Sequence, residues 1–182
     1  MPLTIQLQPS GQQTAFNLQR WAELLTDPEL ARLPYRMETD RHGHIVMSPP
    51  PAPRHGNFQS EIAHLLRSWL PGGRVITECP LSTSDGVKAV DVAWLRPGRA
   101  EELRAASCLV HAPEVCVEVL SPSNTPPEIA EKIVLYFEAG ALEVWTCDQE
   151  GILEFHFSHH PEVRPASKLC LEFPAAIRFS DE

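Results

Sequence analysis

No stretch of this sequence stays apolar for the roughly 20 residues that a membrane-crossing helix needs, although hydrophobic residues make up 43% of it. Lysine is scarce: Lys88, Lys132 and Lys168 are the only ones. With a formal net charge of −9, that scarcity argues against a broad non-specific nucleic-acid binder, which carries a basic surface. Totals do not fix local fields, however. Arg54, Arg67, Arg74, Arg96, Arg99 and Arg104 gather in the middle of the chain, so a basic patch there stays open. The five cysteines form no CxxC pair and their count is odd. Cys79, Cys116 and Cys147 lie inside apolar runs, where reduced thiols acting as small hydrophobes are expected. No GxGxxG follows a strand, and no P-loop or G-x-S-x-G elbow is present, which removes the dinucleotide-binding, P-loop and serine-hydrolase readings. The opening Met1-Pro2-Leu3-Thr4-Ile5-Gln6 has neither the basic start nor the apolar run of a secretory signal, so a cytoplasmic protein is expected.

Proline, by contrast, is abundant. Its 18 copies are about twice the usual share of about 5%, and they collect at junctions: Pro49 to Pro53, Pro122 to Pro127, Pro161 and Pro165. Prolines so placed punctuate elements. The 182 residues suit one domain, expected over 14–182 after an irregular arm at 1–13. Phe16, Leu18, Trp21, Leu24 and Leu25 have near-helical spacing. Strand-like segments at 35–39 and 44–47 flank a turn at Asp40-Arg41-His42-Gly43 and predict a β-hairpin. Residues 55–70 put Phe58, Ile62, Leu65, Leu66 and Trp69 on one helical stripe. Strands follow at 74–79 and 88–95, joined by a polar turn at 82–86, and 98–107 suits a short helix or loop. The nearly continuous apolar run 114–120 reads as a central strand covered on both faces. A helix over 127–139 turns Ile129, Ile133, Tyr136 and Phe137 inward. A second hairpin joins 142–147 to 152–157, and 169–173 suits one more short strand. The fold class is α/β: a mixed central sheet flanked by helices, with an N-terminal helix and hairpin.

Two charges sit where the apolar pattern should exclude them. Asp91 lies between Val90 and Val92, and Glu118 between Val117 and Val119. A carboxylate buried without a partner costs several kcal/mol or changes its protonation. Each acid therefore needs a metal, a basic partner or an opening at the strand edge. If the two strands are neighbours in suitable register, both side chains emerge on one side. A hard divalent ion such as Mg²⁺ accepts a few oxygen ligands and fills the rest with water, and could then polarise a phosphodiester oxygen. The plainer alternative makes Asp91 a strand-end residue and Glu118 half of an internal salt bridge.

Several segments together resemble one family. They are Met47-Ser48-Pro49-Pro50-Pro51-Ala52-Pro53-Arg54-His55-Gly56, Val90-Asp91-Val92-Ala93, and the most specific, Ala112-Pro113-Glu114-Val115-Cys116-Val117-Glu118-Val119-Leu120-Ser121-Pro122-Ser123-Asn124. They continue in Glu131-Lys132-Ile133-Val134-Leu135-Tyr136-Phe137-Glu138-Ala139-Gly140 and Glu143-Val144-Trp145-Thr146-Cys147-Asp148. Over about residues 20–160 the chain resembles the Uma-two family (domain of unknown function 820), bacterial proteins grouped with the PD-(D/E)XK nucleases. The resemblance implies a restriction-endonuclease-like core, with Asp91 as the metal-binding aspartate and Glu118 as the second acid. Val90 stands where proline is usual. Leu120 stands where a lysine two residues past the second acid is usual. Family members place a lysine on the following helix instead, here Lys132. A flexible ammonium there can reach a phosphate or an attacking water; a surface ion pair with Glu128, four residues away, is the alternative.

Three further residues are secondary candidates. Glu61 on the first long helix would supply a third oxygen, as the first-helix acid does in related nucleases. Glu78 competes from the strand before Asp91. His55, just before that helix, would orient phosphate or act as an acid–base group, or simply be a polar helix-start residue. The pair His159-His160 lacks a third ligand at persuasive spacing. The expected activity is Mg²⁺- or Mn²⁺-dependent phosphodiester hydrolysis, with nucleic acid as partner and DNA as its first form. No membrane partner is expected, and strand edges offer surface for a homodimer. The rival is a catalytically inactive nuclease-fold module that binds nucleic acid or protein.

Overall fold

A computed structural model of the chain describes residues 10–158 and 160–178. Its elements are α1 (Ser10–Thr26), β1 (Arg36–Thr39), β2 (Ile45–Ser48), α2 (Pro53–Trp69), β3 (Arg74–Thr83), β4 (Gly86–Leu95), α3 (Ala100–Ala105), β5 (Val115–Val119), α4 (Pro126–Glu138), β6 (Glu143–Cys147), β7 (Leu153–Phe157) and β8 (His160–Arg164). Strands β3 to β8 form one sheet in sequence order, and β1 and β2 form a separate hairpin. All neighbours in the large sheet are antiparallel except β5 and β6, which are parallel. A parallel pair needs a crossover, and α4 supplies it.

The alternating pattern of the strands sends apolar side chains to both sheet faces. On one face, Phe58, Ile62 and Leu66 of α2 join Cys170, Phe173 and Ile177 against Val92, Val117, Trp145 and Phe155. On the other, Tyr136 of α4, with Ile133 and Phe137 beside it, covers Ala93, Cys116 and Val144. Trp21 and Leu24 of α1 close a smaller cluster on Val87 and Cys108. All five cysteines are buried and free, as their apolar settings lead one to expect. Among the described residues no helix is long and apolar enough to cross a membrane.

The hairpin lies over β4 because one glycine lets it. Gly86 has φ +86°, and a Cβ there would stand 2.3 Å from the carbonyl oxygen of Thr39. Thr39 Oγ1 accepts the Val87 N–H at 2.9 Å. That close seat brings β1 against the middle of β4, where Asp91 lies.

Several boundaries differ from the sequence reading. Helix α1 starts at Ser10, so the expected arm is helical over its last four positions; residues 1–9 lie outside the described ones. Pro53 opens α2 instead of ending the hairpin, since the first helical position has no use for the missing N–H. Ser82 and Thr83 belong to β3, not to a turn, because Asn17 Nδ2 donates to Ser82 Oγ and to the Thr83 carbonyl, both at 2.9 Å. The segment 169–173 is not a strand; the Leu169 N–H donates to Glu143 Oε1 at 2.8 Å instead of to a ladder. The last strand is β8, paired antiparallel with β7. His159 lies outside the described residues.

Candidate active site

Register brings the two strand acids together. Strands β4 and β5 pair Val92 with Val117 and Ala93 with Cys116; one step further, Asp91 faces Glu118. Residues opposite one another on paired strands share a sheet face. Both are buried, at 1% and 4% exposed. Asp91 Oδ2 accepts the Val119 N–H at 2.7 Å, and its Oδ1 meets the Arg36 guanidinium. Glu118 Oε1 accepts from Tyr136 Oη at 2.7 Å and Oε2 from Lys132 Nζ at 3.1 Å. The same ammonium donates to Glu38 Oε1 at 2.8 Å, which also accepts the Ala89 N–H at 3.0 Å.

Lys132 therefore reaches inward from α4. Its alternative partner, Glu128, is engaged elsewhere: it closes a capping box with Thr125 at the start of the helix. That cap fixes the first turn of α4, and Lys132 and Tyr136, one turn apart on one face, both land on Glu118.

The rim on the β3 side is strained. Glu78 is the one non-glycine residue with positive φ among the described residues, at +51°, and strain of this kind gathers at functional sites. Gln59 Nε2 donates to Glu78 Oε1 at 2.9 Å and to the Asp91 carbonyl oxygen at 2.8 Å. Arg36 Nε lies 3.1 Å from Glu78 Oε2. His55, one turn before Gln59 on α2, puts Nε2 3.6 Å from Asp91 Oδ1, and its side chain is 10% exposed. Glu61 follows Gln59 by two residues, which is about 200° around the helix, so it leaves α2 in a different direction.

Of the six sequence candidates, Asp91, Glu118 and Lys132 touch or face one another, and Glu78 and His55 border them. Arg36, Glu38, Gln59 and Tyr136 complete the cluster without having been candidates. For Tyr136 the signal was its place four residues after Lys132. For Arg36 and Glu38 it was two charges alternating on one face of a strand.

The cluster carries more negative than positive charge. Among the ion pairs of the cluster, the four acids Glu38, Glu78, Asp91 and Glu118 meet two permanent cations, Arg36 and Lys132. Burial pushes the Glu118 carboxyl up to about 7, and the charges of Asp91 and Glu38 add to that against the pull of Lys132 and Arg36. Burial alone would also raise Asp91, but His55, the Arg36 guanidinium and the Val119 N–H hold it below the usual range. The Lys132 ammonium stays above its usual value: Glu118 and Glu38 outweigh the desolvation that would lower it.

A divalent cation fits this balance. Two adjacent carboxylates offer hard oxygen donors, and the acids of the cluster outnumber its permanent cations. Among the described residues, no three His, Cys, Asp or Glu side chains are already spaced for an ion. An ion held by Asp91 and Glu118 would complete its shell with water, as Mg²⁺ usually does. Arg36, now on Asp91 Oδ1, would have to yield that oxygen.

The fold is a mixed α/β one, and comparison with known proteins places the chain. The model of the Uma2 family, described as a putative restriction endonuclease, matches residues 26–170. The chain belongs to this family. Among solved structures it is similar to a putative nuclease of DUF820 from Anabaena variabilis ATCC 29413, with a TM-score of 0.67 and 20% identity over 86% of this chain and 93% of that one. At that identity the likeness is one of fold. No curated protein matches.

Proposed function

We propose that this protein is an endonuclease that hydrolyses phosphodiester bonds in DNA with the help of Mg²⁺ or Mn²⁺. The observation that carries the reading is the convergence of Asp91 and Glu118 from paired strands with Lys132 from the next helix. Asp91 and Glu118 would hold the ion, which supplies Lewis acidity toward a phosphoryl oxygen and lowers the pKa of water. Lys132 Nζ, held charged between Glu38 and Glu118, orients the attacking water and offsets charge developing on the phosphate. Tyr136 fixes the Glu118 carboxylate from below. Cytoplasmic residence and a homodimer belong to the same proposal, the latter measurable by sedimentation.

One observation favours the rival, a non-catalytic module on this scaffold: Arg36 already satisfies Asp91 Oδ1. Incubation of supercoiled plasmid and labelled oligonucleotides with Mg²⁺ or Mn²⁺ separates the two. Nicked or linear product from the wild type, absent in Asp91→Ala and Glu118→Ala, supports the endonuclease. No product above those controls, on double- and single-stranded DNA alike, overturns it.

A further inference from the structure

Among the described residues, both ring nitrogens of His55 are buried and have no hydrogen-bond partner. One of them, Nε2, lies beside Asp91. A buried polar group left unpaired is costly, so an unpartnered histidine beside a carboxylate points to a guest for the two. The contact of His55 Nε2 with Asp91 Oδ1, at 3.6 Å, is too long for a hydrogen bond.

That spacing suits two donors on one ion. Ligands about 2.1 Å from a common metal lie about 3.0 Å apart at octahedral angles and about 3.4 Å apart at tetrahedral ones. Closing the gap takes a few tenths of an ångström. An anion is the wrong guest for the same place, because the surrounding acids outnumber the permanent cations. We infer that His55 is a nitrogen ligand which, with Asp91 Oδ1, grips the cation of the proposed nuclease site, and that the site takes a transition-metal dication in preference to Mg²⁺. The inference rests on the metal-dependent reading above. Its chemical basis is that imidazole nitrogen suits transition metals, whereas carboxylate and water suit Mg²⁺. In the ion-free arrangement Arg36 covers Asp91 Oδ1; it withdraws when the ion arrives.

The test uses Mn²⁺ itself as the probe on the intact protein. Pulsed EPR of the bound Mn²⁺ should show ¹⁴N modulation from a directly coordinated imidazole. The modulation should vanish in His55→Ala, and in His55→Gln should the alanine variant unfold. Calorimetry should show Mn²⁺ affinity falling by about 10-fold or more in these variants, with Mg²⁺ affinity changing less. Mn²⁺ bound to the wild type without ¹⁴N modulation, or modulation that survives loss of His55, overturns the inference and leaves the nuclease reading standing. A wild type that binds neither Mn²⁺ nor Mg²⁺ overturns both.

Discussion

Two buried glutamates lie on neighbouring strands of one sheet, and the fold treats them differently. Glu143 opens β6 at 1% exposed, and Glu118 lies in β5 at 4% exposed. Around Glu143 the donors are backbone amides, an indole and a hydroxyl. Oε1 accepts the N–H groups of Lys168 and Leu169, both at 2.8 Å, and Oε2 accepts Trp145 Nε1 at 2.8 Å and Ser167 Oγ at 2.7 Å. Glu118 has a phenol and an ammonium that it shares with Glu38, and it stands opposite Asp91. Fixed dipoles aimed at a charge stabilise it even in a low-dielectric interior. Glu143 is thus a fastener that ties the C-terminal segment to the sheet. Burial of an acid does not mark a site; too few donors and too much like charge around it do.

The largest effect that would sharpen this contrast is on cleavage. Glu118→Gln and Asp91→Asn keep the shape of the side chain and remove its charge, and each should lower the cleavage rate by about 10²–10³-fold. Folding stability should move the other way in Glu118→Gln. The Glu118 carboxyl titrates at about 7 in the folded chain against an ordinary 4.5. The native state therefore holds this proton more tightly than the unfolded chain does, and stability is lost as pH rises from about 4.5 through 7. The isosteric amide cannot suffer that loss. Above pH 7.5 Glu118→Gln should match or exceed the wild type, by up to about 3 kcal/mol, while near pH 4.5 the two should converge. Denaturant melts at both pH values measure the difference; an amide variant that is less stable at high pH would break the comparison.

Glu143→Gln should give the mirror image. Its new NH₂ group must face donors that already point at it, so stability should fall by about 1–3 kcal/mol, with cleavage retained in the fraction that folds. Lys132→Met is intermediate. It should lower cleavage by about 10²-fold and drive the Glu118 carboxyl higher still, since the charge that opposes the upward shift is gone. A pH–stability profile whose fall continues to higher pH would show it.

How much of this was readable in the residue order follows from the same physics. Asp91 and Glu118 stand out because each interrupts a run of valines that the sheet needs on its other face. Lys132 was reachable through its family setting. Glu143 was not visible as a buried acid, because it stands at the first position of a strand, where a charge is unremarkable. Arg36 and Glu38 were hidden for a tertiary reason. Nothing in β1 states that it will lie on β4; that depends on the absence of a side chain at Gly86, read in sequence only as a turn residue. Gln59 was hidden because an uncharged amide on a helix breaks no pattern. The added strand β8 escaped because its partner, β7, already formed a complete hairpin with β6.

The smallest expected effect concerns Glu61, the acid that first-helix precedent puts in the site. Its neighbour Gln59 points at Glu78 and at the Asp91 carbonyl, and two residues of helix turn the direction by about 200°. Glu61 is also partly solvated, so water already meets the needs that Glu118 has to place on Lys132 and Tyr136. Glu61→Gln should therefore leave stability within about 0.5 kcal/mol of wild type and cleavage unchanged to the same degree, about twofold. Parallel plasmid assays with Asp91→Asn as the reference measure this. If Glu61→Gln falls to the level of Asp91→Asn, a solvated acid on the other side of α2 is doing what only the buried, converging acids should do, and the setting of a carboxylate no longer separates working acids from fasteners.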